Sequence, residues 1–213
     1  SSIETQRKMF ISLSESQKKM PARMQRLKES NENVSYRQGT EEYNIWFDKY
    51  IIDNNKKPNE RAEYRCDPEI DSGYTKADIY EKDTAYYCVY FVHGECTEGH
   101  NCRFMHQIPL YSKCLDFPND KDIFGRTRFA SHRDDRAGVG SFMNDTRSLF
   151  VRGFSIPKTS DGTKIIYEIL WRHFAVWGEV EDININPKKA FAFVRYTHRC
   201  MAEFAKEGMS NQP

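Results

Sequence analysis

The densest chemistry in the chain lies between residues 88 and 106, where Cys88, Cys96, Cys102 and His106 follow one another as C-x7-C-x5-C-x3-H. Three thiolates and one imidazole complete a tetrahedral Zn²⁺ shell, and a full shell leaves no open position for an activated water. The pattern predicts one structural zinc ion. His93 and His100 fall in the same segment, but the spacing favours His106. Gly94 and Gly99 let the chain wrap closely, and in so small a module metal binding supplies folding free energy. Tyr90, Phe91 and Phe104 stand among the ligands, and two readings stay open. They pack the finger, or some of them stack on unpaired bases, Phe104 first, with Arg103 beside it for phosphate.

Two further groups carry recognition chemistry. Residues 107 to 146 hold Phe124, Arg126, Phe129 and Arg133, together with Gly125, Arg128, His132 and Arg136. Arginine pairs with phosphate in bidentate fashion and stacks on bases, and a connector beyond about 12–15 residues is usually functional or disordered. A solvated linker, its arginines balanced by Asp134 and Asp135, is the alternative. The second group lies on LFVRGF (149–154) and KAFAFVRY (189–196). With period-two alternation, Phe150 and Arg152 share one face, as do Lys189, Phe191, Phe193 and Arg195. Leu149, Val151, Ala190, Ala192, Val194 and Tyr196 then point to the helices. Three phenylalanines on an open sheet face are explained by base stacking, or by a bound protein segment.

The elements that must position these residues are regular only in the C-terminal third. A strand at 148–154 precedes a helix from Gly162 to Trp177, with Ile166, Ile169, Leu170, Phe174 and Trp177 at helical spacing and Ser160 and Asp161 as caps. EVEDININ (179–186) is a second strand, a Pro187-Lys188 turn leads to the third, and Thr197 caps a helix through Phe204 and Ala205 that stops near Gly208. The order is β-α-β-β-α. Upstream, Tyr43, Ile45, Trp46, Phe47, Tyr50, Ile51 and Ile52 predict a small hydrophobic nucleus. Irregular chain follows, with Pro68 and Asp71-Ser72-Gly73 as turn formers, and a domain of that kind needs a metal staple. Residues 1–42 form a basic arm in which Met9, Leu13, Met20, Met24 and Leu27 make a loose stripe interrupted by Pro21. It is a solvated tail, or it becomes helical on a partner.

Composition bounds the rest. Of 213 residues, 38% are hydrophobic and 30% charged, which argues for a core split between two small halves. A net charge of +1 gives no global attraction to a polyanion, so any basic surface is local. The N-terminus holds no hydrophobic stretch, so neither a signal peptide nor a membrane span is expected, and the chain reads as intracellular. In that setting the six cysteines are metal ligands or buried thiols. No H-E-x-x-H, P-loop or nucleophile elbow is present, so an enzyme is not expected.

The β-α-β-β-α order with LFVRGF and KAFAFVRY resembles an RNA recognition motif, with Ala190 where the octamer usually has glycine. A fourth strand would fall beyond Pro213, so a piece of a longer protein is expected. Taken in order, NIWFDKY (44–50), DSGYTKAD (71–78), the finger, D-x-F-G-R from Asp122, RDDRAGVGSF (133–142) and AEFAKEGMSNQ (202–212) resemble the torus-domain splicing factors. The similarity covers residues 43–213, and the arm before it carries none. The resemblance implies an α+β chain: arm 1–42, torus-like region 43–87, CCCH finger 88–106, connector 107–146, and a recognition motif 147–213 lacking its last strand. It also implies a nuclear, non-catalytic protein associated with the NineTeen complex of the activated spliceosome. Such a protein binds U6 small nuclear RNA and the pre-mRNA intron near the 5′ splice site and supports the catalytic RNA conformation. Neither a membrane nor a small-molecule substrate is implied. The family's zinc ligands map onto Cys88, Cys96, Cys102 and His106, and its RNA contacts onto Phe150, Phe191 and Phe193. Connector contacts map onto Phe124, Arg126, Phe129 and Arg133, and His132 stands where the family often has tyrosine. The alternative function is a protein-interaction scaffold whose sheet binds a peptide.

Overall fold

The computed structural model describes residues 2–28, 38, 42–51, 61–81 and 85–212. In chain order come helix α1 (Ile3–Gln17), a hairpin of β1 (Glu42–Asn44) and β2 (Lys49–Ile51), and the short helices α2 (Pro68–Asp71), α3 (Lys76–Tyr80), α4 (Val89–Val92) and α5 (Tyr111–Cys114). They are followed by β3 (Ser148–Arg152), α6 (Gly162–Phe174), β4 (Val180–Asn186), β5 (Phe191–Tyr196) and α7 (Arg199–Met209). None of the described helices is long and apolar enough to cross a membrane.

The C-terminal sheet has the order β3-β5-β4, with β5 antiparallel to both neighbours. Alternation buries Ala192, Val194 and Tyr196 against the helices. In β4 a register shift between Val180 and Asp182 breaks the alternation, which is how Val180 and Ile183 both reach the core. Helix α6 buries Ile166, Leu170 and Phe174, one residue per turn, while Ile169, expected inside, is exposed. Its N-cap Asp161 makes no side-chain cap bond. Ala190 lies outside the strand with φ +50°, so strand alternation does not set its direction. The glycine usual at that place is explained by this left-handed conformation.

Helix α7 begins one residue later than expected. His198 Nδ1 accepts the Cys200 N–H at 3.1 Å as the cap, while the Thr197 hydroxyl donates to Glu179 at 3.1 Å. The helix ends one residue past Gly208, near where expected, and a Cβ at Gly208 would sit 2.7 Å from the Trp177 ring. The two expected cores are one contiguous cluster. Phe204 of α7 joins them: its ring lies 5.6 Å from Tyr87, 6.1 Å from Phe124 and 5.9 Å from Trp177. A helix buried on both sides turns two apolar-poor halves into a shared interior.

The described part of the arm, residues 2–28 and 38, is not a solvated tail. Gln6 exchanges hydrogen bonds with both backbone groups of Val180, each at 2.9 Å, and Arg7 donates to the Glu179 carboxylate at 3.0 and 2.8 Å. The buried positions of α1 are Gln6, Phe10, Ser14 and Gln17, whereas Met9, Met20, Met24 and Leu27 are exposed. A face recognised by polar side chains leaves no hydrophobic period to read. The hydrophobic nucleus expected near residue 46 is instead a hairpin tip. Asn44 Oδ1 accepts the Trp46 N–H at 3.0 Å, and Asp48 takes φ +50° to reverse the chain. Ile45, Trp46 and Phe47 are consequently exposed, Trp46 by 92%; Ile52 lies outside the described residues.

Candidate metal centre and nucleic-acid face

The finger is assembled by short-range geometry. Cys88 caps α4, its Sγ accepting the Phe91 N–H at 3.3 Å, and Cys102 Sγ accepts the Phe104 N–H at 3.4 Å. Both bonds favour thiolate. Gly94 and Gly99 take φ +78° and +53°, and a Cβ on Gly94 would meet the Arg65 backbone at 2.5 Å. The ligand atoms of Cys88, Cys96, Cys102 and His106 all lie within 4.8 Å of one another, and all four residues are buried. Both His106 nitrogens are buried without a hydrogen-bond partner, a costly arrangement that metal ligation relieves. Hydrogen bonds from Cys102 and Cys88 hold the Cys96 thiol far below its ordinary value, while burial pushes Cys88 up. The donor set thus fits a soft divalent ion such as zinc.

The surroundings lock this site in place. The Gly73 N–H donates to the His106 carbonyl at 3.0 Å and Thr75 Oγ1 to the Phe104 carbonyl at 2.9 Å. From the arm, Gln25 brackets the finger: its Nε2 donates to the Phe91 carbonyl and its Oε1 accepts the Cys96 N–H. Gln38 does the same one turn away, bonding the Tyr87 and Phe124 carbonyls and the Val89 N–H. These glutamines carry no sequence signal, because their partners, backbone groups and the Asp71 carboxylate, are distant in the chain.

Of the rings among the ligands, Phe91 is fully buried and stacks on His106 at 4.6 Å, so it packs the finger. Tyr90 and Phe104 are half-buried, and Arg103 is exposed in a shallow cleft with Lys76 and Tyr80.

On the sheet, Phe150, Phe191 and Phe193 converge, with ring centroids 5.4 to 5.7 Å apart. Phe150 is 56% and Phe193 44% exposed, and Phe191 is half-buried. The register places Arg152 opposite Phe191, and Asn184 and Phe150 on either side of Phe193. Ser148, Asp182, Asn184 and Arg195 rim a shallow depression beside the Phe193 ring. Lys189 is exposed but sits in the turn before β5, its N–H donating to Asn186 Oδ1 at 3.1 Å, so alternation does not govern its direction.

The connector corrects the expectation most. Phe124 is fully buried against Phe204, and no base can reach it. The Arg126 side chain is 12% exposed and spans two carboxylates, Asp122 at 2.6 Å and Glu207 at 3.1 Å. Burial opposes its charge, but these two anions outweigh it and raise its pKa. Burial likewise opposes the Glu207 charge, and Arg126 with His93 holds its pKa well below the carboxylate range. Phe129 is half-buried at 5.6 Å from Tyr50, with the Arg136 guanidinium 4.4 Å over Tyr50. Arg133 pairs with Asp135 at 2.9 Å. These residues dock the β1–β2 hairpin onto the connector, since Asp135 also accepts the Tyr50 N–H at 2.9 Å.

A family model described as the Torus domain matches residues 17–126, more than half of the chain. The match begins in the arm and includes the finger, so the similarity reaches further toward the N-terminus than residue 43. The pre-mRNA-splicing factor cwf2 of Schizosaccharomyces pombe is 38% identical over 98% of this chain and 51% of its own length. CWC2 of Yarrowia lipolytica is 40% identical over 80% of this chain and 44% of its own, and cwc2 of Dictyostelium discoideum 36% over 95% and 37%. The chain spans about half or less of the length of these relatives. On the strength of the domain match, the chain belongs to the torus-domain family, and the relatives it resembles are pre-mRNA splicing factors.

Proposed function

We propose that this chain is the RNA-binding part of a nuclear, non-enzymatic pre-mRNA splicing factor with one structural zinc in the Cys88–Cys96–Cys102–His106 finger. The observation that carries the reading is the sheet face, where three phenylalanine rings converge, Phe150 and Phe193 exposed and Phe191 half-buried. Each ring offers a stacking surface, Asn184 and Arg195 beside Phe193 suit base edges and phosphate, and Arg152 extends the cationic rim. Residues 147–213 act as an RNA recognition motif built from β3, α6, β4, β5 and α7. The torus-like region 43–87, the finger 88–106 and the connector 107–146 support it. Arg103 and Phe104 on the finger and Lys189 in the turn before β5 offer further phosphate and base contacts. The bound RNA is U6 small nuclear RNA and the intron near the 5′ splice site, in the company of the NineTeen complex.

The test is Phe150→Ala with Phe193→Ala, measured by anisotropy on U6-derived and intron-derived oligonucleotides. Stacking is worth about 1–3 kcal/mol per base, so losing two rings weakens binding roughly 30-fold or more. Both side chains are partly exposed, so the fold persists. RNA affinity unchanged in the double variant overturns the assignment, and loss of peptide capture instead moves the sheet to the scaffold reading.

A further inference from the structure

Away from the finger, a second set of soft donors converges. Cys114 ends α5, His198 caps α7 and Cys200 lies in the first turn of α7; one ligand atom from each falls within 4.8 Å of the others. Both cysteines are fully buried free thiols, and His198 is half-buried. Two ligands of one tetrahedral zinc lie about 3.3–3.8 Å apart, given ordinary Zn–N and Zn–S bond lengths. A set already within 4.8 Å therefore closes on an ion through small side-chain movements. The four finger ligands satisfy the same distance limit.

We propose that Cys114, His198 and Cys200 form a second metal site, which takes a soft divalent cation, zinc foremost, and clips α5 to α7. Several features of the chemistry favour ligation over plain packing. Thiolate and imidazole are the donors that select zinc over the hard cations. Cys200 stands at the N-terminal end of α7, where the helix dipole favours a negative sulfur. Two thiolates and a neutral imidazole balance a divalent charge, which matters where an unpaired ion is costly. A ligating imidazole gives its one lone pair to the ion, so metal binding exchanges the Cys200 N–H now accepted by His198 Nδ1 at 3.1 Å for the metal bond. Glu203 is near in sequence but is engaged elsewhere, accepting from Arg199 at 2.8 Å and from the Ile123 N–H at 2.9 Å. Among the described residues the site thus has three protein ligands against the finger's four, so it fills after the finger and empties before it. Its effect is architectural: α5 belongs to the segment after the finger and α7 to the sheet unit, so the ion ties the two together.

The test is zinc stoichiometry of the folded chain by competition with a chromophoric chelator, followed by elemental analysis. Two equivalents are expected, the second at least tenfold weaker. Cys114→Ser with Cys200→Ser retains one. Because those positions are buried, His198→Asn provides the second variant: asparagine still caps the helix but lacks the imidazole. It is expected to lose the second equivalent or weaken it at least tenfold, with an unchanged circular dichroism spectrum. A wild-type chain that takes up one equivalent in excess zinc overturns the proposal, as do two equivalents undiminished in His198→Asn. Neither readout involves RNA, so the function above stands or falls separately.

Discussion

Replacing Arg126 by alanine separates a phosphate contact from a structural one. Its Nε lies 2.6 Å from Asp122 and its Nη2 3.1 Å from Glu207, and the side-chain exposures of the two carboxylates are 0% and 11%. Removing one partner of a buried ion pair costs about 3–5 kcal/mol, because the remaining charge is left uncompensated. Here each anion keeps some support. Asp122 still accepts the Phe124 N–H at 3.0 Å, and Glu207 stays 2.8 Å from His93. That places Arg126→Ala at the lower end, about 3 kcal/mol, or roughly 6–12 °C in melting temperature for a chain of this size. The assay is urea and thermal unfolding of the zinc-loaded protein, with RNA affinity measured well below the transition. Adding Glu207→Gln recovers part of the loss by removing one uncompensated charge. Unchanged stability combined with weakened RNA binding would refute the reasoning and return the guanidinium to the RNA surface.

Gly208→Ala places a Cβ 2.7 Å from the Trp177 ring and lowers the urea midpoint by the equivalent of about 1–3 kcal/mol; a neutral result contradicts the packing described. Ala190→Gly relieves a left-handed φ of +50° and stabilises by up to about 1 kcal/mol in the same assay. For Glu207 the folded pKa lies below the unfolded value, so its contribution is present above about pH 4.3 and disappears as pH falls through the folded value. Wild type therefore loses more stability on acidification than Glu207→Gln does, and parallel acid-unfolding curves for the two would exclude this linkage.

The local parts of the protein were legible in the sequence. Ligand spacing in the finger is set by a few residues of intervening chain, so C-x7-C-x5-C-x3-H leads directly to four buried donors within 4.8 Å. Strand alternation likewise separates Phe150 and Phe193 from Ala192 and Val194, because the pleat has period two. Where burial depends on a distant element, those signals fail. The apolar run at Ile45–Phe47 lands on a hairpin tip, and the polar face of α1 packs through Gln6 and Arg7.

One local pattern occurs twice with opposite outcomes. Phe124-Gly125-Arg126 and Phe150-Val151-Arg152 carry the same phenylalanine and arginine two residues apart, and both were expected to meet RNA. Across from the first stand Phe204 and Glu207 of α7, which bury the ring and neutralise the guanidinium. Across from the second, among the described residues, lie strand partners of the same sheet face, and Phe150 and Arg152 stay exposed. Residue type and spacing determined what these side chains can bind; the packing of α7, made of contacts some eighty residues away in the chain, decided which of them are free to do so.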